Sequence, residues 1–304
     1  TASAASGPGT TPNRTKSASA SSHMEKIRTA VIGAGYLGRF HAQKYAAIER
    51  SQLIAVVDVR VDTAERVAAE CGTRAATDYR ELLGKVDAVS VVTPTPSHHE
   101  IAAAFLEAGA HVLVEKPIAT TVDEASELIA VAARSRRVLQ VGHLERFNSA
   151  ILALDGILTV PRFIESHRLA PFKQRGTDVN VVLDLMIHDI DIIQNIVRSP
   201  IASIDAVGSS VFSGELDIAN ARLRFASGCV ANATASRVSL KVERKLRLFQ
   251  DDAYLSLDLH QKIMTLIRKG DGVGADGLPQ VSIDERSYGE GDALRSEIES
   301  FLET

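Results

Sequence analysis

Between residues 26 and 142, short apolar runs alternate with helical patterns: "IRTAVIG", "QLIAVVD", "DAVSVVT", "HVLVEK" and "RVLQVG". None of these runs shows the period-two pattern of a strand with one wet face. Each suits a strand covered on both sides, and a helix between successive runs is the connection that parallel strands need. The expected fold is therefore α/β, beginning with a doubly wound parallel sheet.

The first run ends in "GAGYLG", Gly33 to Gly38. Gly33 permits the tight turn, Gly35 lets a pyrophosphate approach the backbone, and Gly38 lets the helix pack close to the strand. With Tyr36 and Leu37, these glycines open a helix whose free N–H groups and positive dipole end attract phosphate. Asp58 ends the second run, 20 residues past Gly38. That is the spacing of a carboxylate that binds adenosine ribose hydroxyls. A carboxylate there repels the 2′-phosphate of NADP, so NAD is the expected cofactor, although Arg60 could restore NADP binding.

Two further motifs fall at carboxyl ends of predicted strands, where open α/β sheets hold ligands. "DAVSVVT" runs into "TPTPSHHE", placing Thr93, Pro94 and His98 (or His99) near the cofactor. "HVLVEK" ends in Glu115-Lys116-Pro117, where Pro117 stops the strand and leaves Lys116 beside the nicotinamide.

The stretch "DLMIHDIDII", residues 184–193, threads three aspartates and a histidine through six large apolar residues. At about 100° per helical residue, Asp184, His188 and Asp191 share one stripe, continued by Asn195. Asp189 points into the apolar arc and needs a buried partner that local spacing does not reveal. In "GHLERFNSA", the expected crossover to a second domain, Arg146 and Asn148 fall near the cleft. "IDAVGSSVF", "ELDIANARLRF", "CVANATASRV", "RKLRLFQ", "YLSLDL" and "IMTLIRK" follow as strand-like runs. The Gly/Asp-rich "KGDGVGADGLPQVSIDERSYGEGD" reads as a mobile loop.

Taken in order, "GAGYLG", "TPTPSHHE", "EKP" and "DLMIHDID" resemble the Gfo/Idh/MocA oxidoreductase family across residues 24–304. The resemblance implies an N-terminal Rossmann domain and a C-terminal α+β domain with a large, mostly antiparallel open sheet. The exposed face of that sheet commonly builds homo-oligomers, dimers or tetramers. It also implies that Lys116 contacts substrate hydroxyls, that Pro117 is cis, and that Asp184 and His188 line a sugar pocket. "GHLERFN", "ESHRLAPFKQRG" and "VVLDLMIHDID" are similar to a branch oxidising the 3-hydroxyl of UDP-N-acetylglucosamine. The 3-keto product there is aminated for lipid A or other surface glycans. Relatives follow a helix like "ALRSEIESFLET" with a further segment packed on the Rossmann domain.

The expected roles follow. His188 is the general acid/base, its ordinary pKa of about 6.5 suiting neutral pH, and Lys116 is the cation on the reacting oxygen. Asp184 orients His188 or binds a neighbouring hydroxyl, with Asp191 in support. Arg168, Lys173 and Arg175 either hold a diphosphate or lie on a solvated loop. A dehydrogenase of a free sugar or inositol is the alternative within the class. An NAD-sensing regulator on the same scaffold is the alternative outside it, and such a binder has no need of Lys116, Asp184 and His188 together.

Composition sets outer limits. Residues 1–23 are Ser/Thr/Ala/Gly/Pro-rich with almost no large apolar residue, and read as a tag-derived or disordered leader. The expected domains are 24–145 for dinucleotide and 146–304 for substrate. A net charge of −4 argues against nucleic acid, and no apolar run approaches the ~20 residues of a membrane span. Cys71 and Cys229 lack metal or disulfide spacing, so no metal and a reducing, cytoplasmic setting are expected.

Overall fold

The computed structural model describes residues 25–173, 179–273 and 277–304; the leader at 1–23 and Arg175 lie outside them. Its first sheet contains β1 (Ile27–Ile32), β2 (Ser51–Val57), β3 (Arg74–Ala76), β4 (Ala88–Val91), β5 (His111–Glu115) and β6 (Leu139–Gly142). All six are parallel, in the order β3-β2-β1-β4-β5-β6. Val31, Ala55, Val89 and Val112 are completely buried, as strands covered on both faces require. The three-residue β3 carries no apolar run, so sequence pattern did not reveal it.

Helices α1 (Tyr36–Ala47) and α2 (Val61–Cys71) cover one face. Helices α3 (His98–Glu107) and α4 (Val122–Ser135) cover the other. The chain order reverses beside β1, which has β2 on one side and β4 on the other. A crevice opens there at the strands' carboxyl ends.

The second sheet has eight strands: β7 (Phe163–Leu169), β8 (Ile201–Ser209), β9 (Ile218–Phe225), β10 (Val230–Ser236), β11 (Glu243–Phe249), β12 (Ala253–Asp258), β13 (Ile263–Val273) and β14 (Pro279–Ser287). It is antiparallel except where β7 and β10 run side by side. The expected mobile loop is thus corrected over residues 269–273 and 279–287, which are strand. Their exposed Val281 and Ile283 alternate with polar residues, but Gly and Asp nearby hid the pattern. After the four-residue α5 (Ser149–Leu152), the chain packs α6 (Ile187–Val197) on the inner face of this sheet. Helix α7 (Ala293–Glu303) then returns to the first core through Leu294, Ile298, Phe301 and Leu302.

The glycine loop is tightly built. A Cβ on Gly38 would lie 1.8 Å from the Gly33 carbonyl oxygen, so α1 sits as close to β1 as backbone permits. Gly38→Ala must push α1 off the sheet, and a loss of about 3 kcal/mol or more is expected from such overpacking against immovable backbone. Thermal unfolding measures it; a Tm within experimental error of wild type would contradict the close approach.

Candidate active site

A cavity of about 660 Å³ fills the crevice, lined among others by Gly33, Gly35, Asp58, Arg60, Thr93 and Pro94. A Cβ on Gly35 would meet no atom within 4 Å, so open space stands over the backbone there. No side chain caps the N-terminus of α1, which leaves its first N–H groups turned to the crevice for a pyrophosphate. Asp58 lies at the end of β2, its Oδ2 accepting from the Ala34 N–H at 2.9 Å and Oδ1 from the Arg60 N–H at 3.0 Å. Each oxygen keeps acceptor capacity for a ribose hydroxyl. The Arg60 side chain is largely exposed, with Nε 3.8 Å from Asp58. Asp58→Ala is expected to weaken NADH binding by about 10–100-fold, the worth of hydrogen bonds to a charged acceptor. NADPH binding should fall much less, and equal losses in a titration would contradict the ribose assignment.

The surroundings of the other residues expected at the cofactor are as follows. Tyr36 is exposed on the first turn of α1, edge-on to Phe40 at 5.2 Å, and Leu37 is half-buried beside it. His98 is corrected from cofactor contact to latch. Its buried ring stands 2.9 Å from the Pro117 carbonyl oxygen and 2.8 Å from that of Thr93, tying together the loops after β4 and β5. Glu115 is engaged likewise: its carboxylate lies 3.1 Å from the His41 ring and accepts from the Lys116 N–H at 3.3 Å. The Lys116–Pro117 bond is cis.

Lys116 reaches from the first sheet to the segment before α6. Its Nζ donates to the Asp184 carbonyl oxygen at 3.0 Å and lies 3.9 Å from the Asp184 carboxylate. That segment, Val182–Met186, is a π-helical turn. The uniform helix expected from spacing is therefore corrected, because one widened turn changes which groups face the cleft. Burial lowers the Lys116 pKa from its ordinary value, opposed by Asp184 and Glu115.

His188 stands one turn further on. Its Nδ1 is buried without a partner among the described residues. Burial, followed by Arg168, Lys116, His143 and Arg244, pushes the imidazole pKa down to about 2. The expectation of an ordinary imidazole is corrected: His188 is neutral near pH 7 and cannot store a proton as a stable cation.

Three expected substrate contacts serve the frame. Arg168 lies in β7, is 3% exposed, and donates through Nε and a terminal nitrogen to Asp189 at 2.9 and 2.7 Å. It is the buried partner that Asp189 needed, so it is unavailable as a diphosphate clamp on a solvated loop. Arg146 forks onto both oxygens of Asp191, and Asp191 also has the His143 ring at 3.5 Å. Asp191 is thus corrected from the pocket stripe to an ion pair that ties α6 to the segment before α5. Asn148 accepts from the Ala150 N–H at 3.1 Å and donates to the Leu259 carbonyl at 2.9 Å, which joins α5 to the end of β12. Lys173 is exposed.

Sequence reasoning missed His143, Glu145 and Arg244. Glu145 accepts from Arg168 at 3.4 Å and from Arg244 at 3.3 Å. Arg244 sits directly across the ladder from Arg168. Once β7 is recognised, that register is the signal that would have placed it on the cleft side.

A dinucleotide crevice at the carboxyl edge of a parallel sheet, with Lys116 at the end of β5 held against the turn that precedes His188, has the layout of a nicotinamide-dependent dehydrogenase. The chain belongs to the Gfo/Idh/MocA oxidoreductase family: residues 27–143 match its NAD-binding Rossmann fold and residues 152–255 its C-terminal domain. The chain is similar to the UDP-N-acetylglucosamine 3-dehydrogenase of Acidithiobacillus ferrooxidans, 42% identical over 92% of this chain and 88% of that protein. A solved structure of that enzyme superposes with a TM-score of 0.85, covering 92% of this chain and 89% of the other. An inositol 2-dehydrogenase/D-chiro-inositol 3-dehydrogenase of Shouchella clausii is 35% identical over 55% of this chain and 52% of that protein. Levoglucosan dehydrogenase in complex with NADH and levoglucosan shares the fold, with a TM-score of 0.80 at 18% identity over 91% of this chain and 88% of that one.

Proposed function

We propose that the protein oxidises the 3-hydroxyl of a UDP-N-acetylhexosamine to the 3-keto sugar, with NAD as oxidant. The observation that carries this is the meeting of Lys116 with the Asp184 turn beside His188, at the carboxyl edge of an NAD-binding sheet. The crevice fits the cofactor: Gly33, Gly35 and the start of α1 would hold its pyrophosphate, Asp58 its adenosine ribose, and Thr93 and Pro94 its nicotinamide side. When bound, NAD would supply the acceptor for the hydride that leaves the carbinol carbon.

The protein's own residues handle the proton and the charge. Lys116 approaches the carbinol oxygen as a cation and stabilises negative charge growing there. Neutral His188 accepts the hydroxyl proton. Because burial, and after it Arg168, Lys116 and Arg244, disfavours an imidazolium, the proton passes on rather than resting on the ring. The proton leaves for solvent, since Lys116 as a cation has only hydrogens to donate. Asp184 holds Lys116 in place through its carbonyl.

The 42% relative supports the nucleotide-sugar substrate over the inositol alternative, since an inositol 2-dehydrogenase that matches 91% of the chain is only 24% identical. Reduced-nicotinamide absorbance should rise with UDP-N-acetylglucosamine and NAD. A rise with myo-inositol alone would favour the alternative, and no turnover of any sugar would favour the NAD sensor. The proposal includes a cytoplasmic setting, where both ligands are held. It also includes a homo-oligomer, dimer or tetramer, supported by exposed Ile204 and Val207 on β8 and Ile283 on β14. Light scattering of wild type should give a multiple of the chain mass; a monomer would contradict assembly.

A further inference from the structure

One continuous chain of hydrogen bonds runs beneath helix α1 to the corner that carries Lys116. The Tyr45 and Ser90 hydroxyl oxygens lie 2.9 Å apart, and Ser90 Oγ lies 3.1 Å from His41 Nδ1. His41 Nε2 lies 3.1 Å from Glu115 Oε1, and Glu115 Oε2 accepts from the Lys116 N–H at 3.3 Å. Tyr45, Ser90 and His41 are completely buried. A hydroxyl, an imidazole and a carboxylate in this order match a nucleophilic triad, but no substrate reaches a serine without exposed surface. Hydrogen directions follow from the groups present. The Glu115 carboxylate only accepts, so Nε2 carries the hydrogen; Nδ1 then accepts from Ser90, and Ser90 accepts from Tyr45. Burial raises the Tyr45 phenol above its ordinary value, which keeps it a donor. This assignment satisfies every member of the chain.

We propose that His41 is a positioning residue: from α1 it holds the Glu115 carboxylate against the Lys116 N–H and so fixes the end of β5 that carries the lysine. His41 lies on the buried face of α1 with Gly38, Ala42 and Tyr45. Gly38 lets that helix lie against β1, which brings the ring within reach of Ser90 on β4 and Glu115 on β5. On the other side the carboxylate lies against Gly142, where a Cβ would stand 2.8 Å from Oε1. Glu115 is thus held between a backbone wall and a donor, and loss of the donor frees it to turn from Lys116. The importance of this contact for turnover rests on the proposed role of Lys116.

Two arms of the test are independent of substrate. Heteronuclear NMR of histidine-labelled wild type should show one ring, absent from His41→Gln, that carries its hydrogen on Nε2 and none on Nδ1. Hydrogen exchange at the Lys116 amide should quicken about tenfold or more in His41→Ala, the worth of a hydrogen bond to a charged acceptor. It should stay near the wild-type rate in His41→Gln, whose side-chain amide still donates to Glu115. A His41 ring protonated at Nδ1, or unchanged Lys116 exchange in His41→Ala, overturns the proposal even if no sugar is turned over. In turnover, His41→Ala should lower kcat by roughly tenfold or more through misplacement of the lysine, with little change in KM for NAD. His41→Gln should recover most of that loss. Equal losses of kcat in the two variants would overturn the proposal, because the hydrogen given to Glu115 would then not matter. Quickened exchange with kcat unchanged would overturn the role of Lys116 in turnover and leave the chain of hydrogen bonds standing. Should His41→Ala fail to fold, His41→Leu fills the space without a donor and must show the same two losses.

Discussion

Lys116→Ala will lower kcat for sugar oxidation by about 10²–10³, the usual cost of removing one preorganised donor from developing negative charge. NADH affinity will stay within a few-fold, because the lysine is outside the crevice that holds the nucleotide. Folding stability will not fall with activity. Burial already opposes the Lys116 charge, so its removal takes away a desolvated cation, and Asp184 is left partly exposed to water. Lys116→Arg should not rescue turnover, since a planar guanidinium cannot reproduce a point charge at the Asp184 carbonyl. His188→Ala should lose about 10²–10⁴ as a missing proton acceptor. The double variant should be little worse than the weaker single, because the two act on one proton transfer.

Lys116 also helps to hold the His188 pKa down, so Lys116→Ala should raise it in an NMR titration. The same depression has a stability consequence. The folded value is about 2, well below the unfolded one, so unfolding takes up a proton and stability falls as pH drops below about 6.5. His188→Gln removes that contribution. The variant's acid denaturation should begin at lower pH, and an unchanged acid limb would contradict a buried neutral imidazole.

The second large effect is structural. Arg168→Met strips the partner from Asp189, which is 4% exposed, and leaves a buried unpaired carboxylate. Losing one partner of such a pair costs about 3–5 kcal/mol, on the order of 10 °C in Tm for a chain of this size. Activity should drop as well, since Asp189 is the neighbour of His188 on α6. The Arg168→Met/Asp189→Leu pair should recover most of the stability, because an apolar replacement removes both desolvation penalties. It should not recover turnover, since Glu145 and Arg244 lose the group that joins them to the cleft. Additive losses in that cycle would show that the two residues do not act as a pair.

What could be read in advance follows the range of each interaction. The glycine turn, Asp58 and the Glu115-Lys116-Pro117 corner are set by neighbours in the chain, and their spacing was legible. Asp189 raised the correct question, but its answer lay 21 residues away in β7, a strand recognised only as a motif. Arg146 looked like a ligand of the cleft because its partner Asp191 is 45 residues distant. Asp191 in turn was assigned to the pocket by a helical wheel that the π turn at Val182–Met186 does not obey.

The most direct measurement mixes enzyme with NAD and UDP-N-acetylglucosamine in a single turnover and follows reduced-nicotinamide absorbance together with the sugar product by mass spectrometry. The expected result is a burst of NADH matched by a sugar two hydrogens lighter, slowed at least a hundredfold in Lys116→Ala and in His188→Ala with nucleotide binding intact. Unimpaired bursts in both variants would contradict the catalytic site described above, whatever the sugar proves to be.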